Sequence, residues 1–187
     1  LARVPGDDFV QRQEISGWSI TAEADNTGAT TEVGEPVHGG VVGGRSLWWT
    51  WRSPGNGGVT VSTEGSEIPT LLAVYQGSSL DSLSLLTEDA GGPQARPSSV
   101  QFEVTYQTVY SFAIDSPAGA EGPLTLKLAM DEQPVKIEAL RPRTEPGTDW
   151  QVEFNGDALT RYELQVSADL QNWTSLGDTT GAVGVFD

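Results

Sequence analysis

The chain is 187 residues long with a mass of 19.9 kDa, a length that accommodates one or two domains. Ten Lys and Arg stand against 26 Asp and Glu, a formal net charge of −16, so the surface repels phosphate and nucleic acid is excluded as a partner. The absence of Cys excludes disulfides, thiolate metal sites and a Cys nucleophile, and the single His (His38) excludes a multi-His metal site.

The 22 Gly and 11 Pro are too many for a helical bundle and lack the period of collagen. Six Trp, five Phe and four Tyr supply a core that a disordered chain would not have. No apolar run nears the ~18 residues of a membrane span, and no charged-then-apolar leader opens the chain. These features predict a soluble, mature or excised piece without a membrane span.

From the N-terminus, Asp7-Asp8 form an acidic approach, followed by Gly-rich turns at Asn26-Thr27-Gly28, Gly39-Gly40 and Gly43-Gly44. Turn signals of this kind recur every ~8–12 residues, the rhythm of a sandwich or barrel. Ser46–Arg52, Gly58–Thr63 and Thr70–Gln76 are rich in β-branched and aromatic residues and predict strands. In the first, alternation puts Leu47, Trp49 and Trp51 on one face and Trp48, Thr50 and Arg52 on the other. Ser79–Leu86 reads as a marginal helical turn. Val100–Thr105, Val109–Asp115 and Pro123–Met130 predict further strands, with Val100, Phe102 and Val104 on one face and Leu124, Leu126, Leu128 and Met130 on another. These are antiparallel strands with one wet face.

Composition shifts at Asp131–Pro134, placing a boundary between 1–131 and 132–187. Val135–Leu140, Trp150–Phe154, Arg161–Ser167, Trp173–Leu176 and Val183–Phe186 follow as five short strands, broken at Arg141-Pro142 and Glu145-Pro146-Gly147. An immunoglobulin-like sandwich has about seven strands, so this second β domain is expected to be incomplete. Trp173 is its expected core anchor. The acidic excess is shared, 6 − 16 = −10 in residues 1–131 and 4 − 10 = −6 in residues 132–187.

Gly34-Glu35-Pro36-Val37-His38-Gly39-Gly40, then Leu47-Trp48-Trp49-Thr50-Trp51, then Thr70–Gly77 (TLLAVYQG) fall in a fixed order. Over roughly residues 5–130 the chain resembles the bacterial pre-peptidase C-terminal (PPC)-like domain. Arg161–Gly177 (RYELQVSADLQNWTSLG) resembles the fibronectin type III-like repeats that follow such modules in large secreted bacterial proteins. The resemblance implies an all-β chain: a jelly-roll-like antiparallel β-sandwich over 1–131, then a smaller, incomplete Ig/fibronectin III-like sandwich over 132–187. It implies an accessory module and not a catalytic domain. Secretion or display at the cell surface follows from the same likeness.

Several residues carry candidate chemistry. Trp48 beside Arg52 forms either packing or an exposed platform that stacks on a sugar ring or another chain. Asp7, Asp8, Glu88 and Asp89 are candidate calcium ligands, since some relatives place calcium between the N-terminal segment and such an acidic loop and calcium takes six to eight oxygens. Solvated acidic turns are the other reading. His38, with no G-x-S-x-G partner motif, is expected to be a hydrogen-bonded structural residue. Glu64 and Glu67 are too arbitrary a pair for glycosidase chemistry. Asn172-Trp173-Thr174 is a glycosylation sequon.

Two function classes remain. One is a non-catalytic structural or adhesive module, a subunit of an extracellular assembly or filament. The other is an accessory module that binds polysaccharide or fibrous protein, with calcium as its candidate cofactor. A sandwich short of its last strand exposes an edge that recruits another strand. Leu1–Pro5, which has no assigned partner in the sequence, is the candidate donor for self-association by strand exchange.

Overall fold

A computed structural model describes residues 3–91, 97–131, 136–142, 150–155, 161–169, 171–180 and 183–186. The chain divides into two compact units, Leu1–Asp131 and Glu132–Asp187. Both are built from strands, and helix among the described residues is limited to three short 3-10 turns.

The first unit holds β1 (Gln13–Ile15), β2 (Ser19–Asp25), β3 (Leu47–Arg52), β4 (Gly57–Ser62), β5 (Leu71–Gln76), β6 (Ser84–Asp89), β7 (Ser99–Val104), β8 (Val109–Asp115) and β9 (Pro123–Met130). They form a five-stranded sheet, β1-β3-β8-β5-β6, and a four-stranded sheet, β2-β9-β4-β7. Neighbours are antiparallel except for the short parallel pair β1–β3, where Gln13 stands opposite Trp49 and Ile15 opposite Trp51.

Alternation explains the core. Leu47, Trp49 and Trp51 of β3 join Val74 of β5 and Phe112 and Ile114 of β8 on one face of the five-stranded sheet. They pack with Val59 and Val61 of β4 and with Leu124, Leu126, Leu128 and Met130 of β9. Each such side chain contributes ~1.5–3 kcal/mol when fully buried. Trp51 also donates its indole N–H to the Gly17 carbonyl at 3.0 Å, so its polar atom is satisfied inside the core.

In the first unit the structure departs from the sequence reading at several elements. Ser79–Leu86 is not one helical turn, because only Leu80–Ser82 is 3-10 and β6 starts at Ser84. Three residues satisfy the local capping bonds of Ser79 and Ser82, and Leu85 then pairs with Tyr75 across the ladder. β1 and β2 were not expected as strands. Ile20, Ala22 and Ala24 of β2 are only half-buried, and two of them are small, so the usual strand composition is missing. Residues 3–5, read as lacking a partner, are engaged within the first unit. Val4 packs against the core, its carbonyl accepts from the Asp7 N–H at 3.1 Å, and the Pro5 carbonyl accepts from Gln13 Nε2 at 3.2 Å.

The second unit has β10 (Lys136–Pro142), β11 (Trp150–Asn155), β12 (Arg161–Val166), β13 (Thr174–Thr180) and β14 (Val183–Phe186). They form the antiparallel sheets β10-β11-β14 and β12-β13. Trp173 is 55% exposed and is not the core anchor expected of it. It stands just before β13, at the end of a turn that Asp169 holds through the N–H groups of Gln171 and Asn172 at 2.9 and 2.8 Å. Val135, Glu145-Pro146-Gly147 and the Gly92-Pro93 part of an expected turn lie outside the described residues. Among the described residues no helix is long and apolar enough to cross a membrane.

Candidate functional site

A sheet of this kind would ordinarily leave one face wet. The five-stranded sheet does so only in part. On the face turned away from the main core, Trp48, Ala73, Tyr75 and Ala113 form a second buried cluster with Phe9, and Leu80 and Leu83 pack at its margin. Ladder register accounts for the fit. Trp48 of β3 lies opposite Ala113 of β8, which lies opposite Ala73 of β5, so two methyl groups leave room for the large indole beside them.

Two segments cover the indole. The 3-10 turn Phe9–Gln11 places the Phe9 ring edge-on to Trp48 at 5.0 Å. From the Gly-rich segment before β3, the His38 ring meets Trp48 at 5.2 Å and Tyr75 at 5.8 Å, both edge-on. The Trp48 and Tyr75 rings themselves lie 5.8 Å apart.

Polar groups lock this cover in place. His38 Nε2 is 3.0 Å from Glu35 Oε1, and His38 Nδ1 is 2.9 Å from Tyr75 Oη. The side chains of His38 and Glu35 are each 1% exposed. A carboxylate only accepts, so Nε2 is the nitrogen that donates to Glu35, while Nδ1 bonds the Tyr75 hydroxyl. Glu35 Oε2 accepts the Glu32 N–H at 2.8 Å, and Glu32 Oε2 in turn accepts the Phe9 N–H at 2.5 Å. Burial, reinforced by the negative charges of Glu88 and Glu35, pushes the Tyr75 phenol well above its ordinary value. Gly39 is pressed against the chain after β6, where a Cβ would stand 3.0 Å from Ala90 Cα, and its φ of +60° favours glycine as well.

The three sequence stretches behind the family resemblance therefore meet in space: Glu35 and His38 from the first, Trp48 from the second, Tyr75 from the third. Sequence reading expected His38 to be hydrogen-bonded and structural, and it is. It missed Glu35, Tyr75 and Phe9. The available signal was parity: Tyr75 shares the outward face of β5 with Ala73, and a buried tyrosine needs a partner for its hydroxyl.

Trp48 is fully buried, which fits the packing reading and not the exposed platform. The alternation itself was right, but its second face is roofed by Phe9 and His38 and does not meet water. Among the described residues its Nε1 has no hydrogen-bond partner, and neither has Ser111 Oγ on the same face. Arg52, at the end of β3, is exposed and donates from Nη1 to the Gln107 carbonyl at 2.7 Å.

Three of the four candidate calcium ligands have protein partners. Asp7 and Asp8 are buried rather than solvated. Asp7 Oδ1 accepts the Thr30 N–H at 2.6 Å, and Asp8 pairs with Arg3. Asp89 Oδ2 accepts the Ser99 N–H at 2.8 Å, while Glu88 is exposed beside Ala73 in the ladder. Among the described residues no group of three or more His, Asp or Glu side chains is placed to hold a metal ion. Glu64 is occupied by Lys127 Nζ at 3.0 Å. Asn172 is exposed and donates from Nδ2 to Asp169 Oδ2 at 2.7 Å.

No protein-family model matches the chain, and no curated protein matches it. Among solved structures the chain is similar to the pre-peptidase C-terminal domain of collagenase from Bacillus anthracis, at 11% sequence identity and a TM-score of 0.40. The similarity covers 64% of this chain and 94% of that domain.

Proposed function

We propose that the chain is a non-catalytic, secreted β module with a mechanical or spacing role in an extracellular assembly. One observation carries this reading. The residues best suited to chemistry or stacking, namely Glu35, His38, Tyr75 and Trp48, are sealed beneath the strand surface, the first three joined through hydrogen bonds at His38 and Trp48 packed against the His38 and Tyr75 rings. A general base must reach the proton it abstracts, and a stacking platform must present a ring face to its ligand. These groups do neither. What they do is fasten the segments before β1 and before β3 to the outer face of the sheet, giving a sandwich with two layers of side-chain packing over part of its area. That arrangement resists local opening, because lifting the cover exposes aromatic surface and strands a buried carboxylate.

Calcium-dependent binding of polysaccharide or fibrous protein is the competing reading, and one experiment separates the two. The full chain is mixed with insoluble polysaccharides and collagen fibrils, in millimolar calcium and in chelator, and the supernatant is assayed. The structural reading expects no saturable depletion. Saturable, calcium-dependent retention that Arg52→Ala or Glu88→Gln weakens would overturn it.

A further inference from the structure

In the first unit the earliest strand of the four-stranded sheet lies beside the last. β2 pairs antiparallel with β9, Ser19 opposite Ala129 and Asp25 opposite Pro123. Tension drawn through both ends of the unit reaches β2 at Ser19 and β9 at Met130, the same end of the ladder. Bonds between antiparallel strands lie perpendicular to them, so that pull opens them one after another. A module that bears load needs this pair shielded.

The segment before β2 supplies the shield. β1 lies on the other sheet and runs parallel to β3, with Gln13 opposite Trp49 and Ile15 opposite Trp51. Upstream, the Gly6 carbonyl accepts the Trp48 N–H at 2.8 Å, and the 3-10 turn Phe9–Gln11 arches over the indole between these two contacts. Residues 6–15 thus follow β3 from Trp48 to Trp51. Gly6 comes so close that a Cβ there would stand 2.8 Å from the Trp48 carbonyl oxygen, and its φ of +78° favours glycine as well. Side chains fasten the same stretch. Asp7 Oδ1 accepts the Thr30 N–H at 2.6 Å, and the Phe9 N–H donates to Glu32 Oε2 at 2.5 Å.

The far end of this stretch is where the pull from the C-terminal side is applied. Trp51 Nε1 donates to the Gly17 carbonyl at 3.0 Å, and the Trp18 carbonyl accepts the Met130 N–H at 2.8 Å. The N-terminal pull enters beside Trp48 and the C-terminal pull acts beyond Trp51, at opposite ends of β3. The line between them runs along the strands.

We propose that residues 4–15 are a shear clamp, drawn lengthwise along β3 under tension so that their backbone and side-chain ties are loaded together and not in turn. The β2–β9 ladder takes load only after the clamp has slipped. Clamp strength then sets the lifetime of the first unit under force. The inference rests on the reading of a mechanical role, and it names the part that bears the load.

The test is constant-force stretching of the full chain carrying Ser19→Cys. The chain has no Cys of its own and Ser19 is exposed, so position 19 becomes a single attachment point. One preparation is then pulled by two routes, through its two termini or through position 19 and the C-terminus. The second unit bears tension in both routes and serves as the internal reference. Lifetime under force reads the unfolding rate. The first unit should survive at least about tenfold longer when pulled through the N-terminus, because the route through position 19 bypasses the clamp. Asp7→Ala, added to the same chain, should shorten the lifetime by the N-terminal route and leave the other unaltered. Equal lifetimes by the two routes overturn the proposal, as does a longer lifetime through position 19. Asp7→Ala that shortens both lifetimes alike, or neither, overturns it too, because the clamp ties are then not what carries the load. Failure here leaves the non-catalytic reading standing, since that reading is tested by retention on polysaccharide and collagen.

Discussion

Gly43 and Asp115 are so closely apposed that a Cβ on the glycine would stand 1.7 Å from Oδ2 of the aspartate. Asp115 ends β8, is buried, and accepts three backbone N–H groups at Oδ1: Gly44 at 3.0 Å, Arg45 at 2.8 Å and Ser116 at 2.7 Å. The carboxylate fixes the point at which the Gly-rich segment before β3 turns into the strand. Charge-assisted bonds of this type are stronger than neutral ones, so the side chain cannot swing away from an added methyl group without losing them. Gly43→Ala should cost about 2–4 kcal/mol of stability. Asp115→Ala should cost a similar amount, and the double variant little more than either alone, because both remove one interaction. Denaturant unfolding of the four proteins checks this, and full additivity would refute it.

The Glu35–His38–Tyr75 chain predicts a second non-additive set. Tyr75→Phe removes the hydroxyl and leaves His38 Nδ1 without a partner, a loss of about 1–3 kcal/mol. His38→Ala leaves both Glu35 Oε1 and the Tyr75 hydroxyl buried without the partner His38 supplied, and should cost more, about 3–5 kcal/mol. The coupling between the two substitutions in a double-mutant cycle should lie between about 0.5 and 3 kcal/mol. A coupling of zero would mean that the two side chains do not share a bond.

Trp48 and Trp51 sit on opposite faces of β3 and are both fully buried, yet their indole N–H groups differ. Trp51 Nε1 donates to the Gly17 carbonyl, whereas Trp48 Nε1 has no partner. Trp51→Phe therefore loses packing and a hydrogen bond, and Trp48→Phe loses packing alone. Trp51→Phe should be the more damaging by about 1 kcal/mol, read as the difference in unfolding free energy between the two variants.

How much of this was legible in the sequence depended on what each residue's role requires. β3, β5, β8 and β9 were readable because Leu, Val, Phe and Trp recur at every second position and a core needs nothing else. β2 was not, since Ala22 and Ala24 at a half-buried edge look like loop composition. β6 was masked by Ser79 and Leu80, which favour a local turn and do make one before the strand starts. The outer cluster was the harder case. Trp48 was assigned to the correct face, but whether that face meets water is decided by Phe9 and His38, residues 39 and 10 positions away in sequence. Alternation is a local signal and cannot report a roof. Likewise Glu35 and His38 share a motif, but Tyr75 joins them only through the register of β5 beside β8. The buried state of Asp7 and Asp8 escaped for the same reason: acidic residues near a terminus look solvated until Thr30 is brought across to meet them.

Asp169 offers a prediction in the second unit. Its carboxylate accepts from the backbone N–H of Asn172 and of Gln171, and from the side chains of Asn172 and Ser167, which together hold its pKa well below the ordinary 3.8. The charged form is the one these donors favour. The turn before Trp173 should therefore stay intact until pH falls well below the usual carboxylate range. In a carboxyl carbon NMR titration Asp169 should titrate last among the acidic residues, and Asn172→Ala should raise its midpoint. A midpoint at or above 3.8 in the unaltered chain would show that the turn does not form.

Tyr75 gives the opposite sign at the alkaline end. Its phenol is raised above the ordinary value of 10.0 by burial first, then by the charges of Glu88 and Glu35. The folded state thus holds the proton more tightly than the unfolded state, and folding favours the neutral phenol. That contribution is complete below pH 10 and is lost as pH rises beyond it, since the unfolded chain then gains stability by ionising. The thermal midpoint should fall from about pH 10 upward. Tyr75→Phe has no phenol to ionise at this position and should show a shallower fall over the same range, although it starts from a lower midpoint. Glu88→Gln removes one of the two named charges while leaving the hydrogen bond to His38 in place, so it should make the alkaline fall smaller and end it at lower pH, with the onset near pH 10 and the neutral-pH midpoint nearly unchanged. Absorbance of the phenolate near 295 nm, followed through the same titration, separates Tyr75 from the other tyrosines. If four phenols ionise together around pH 10 in the folded chain, the burial of Tyr75 against His38 is wrong.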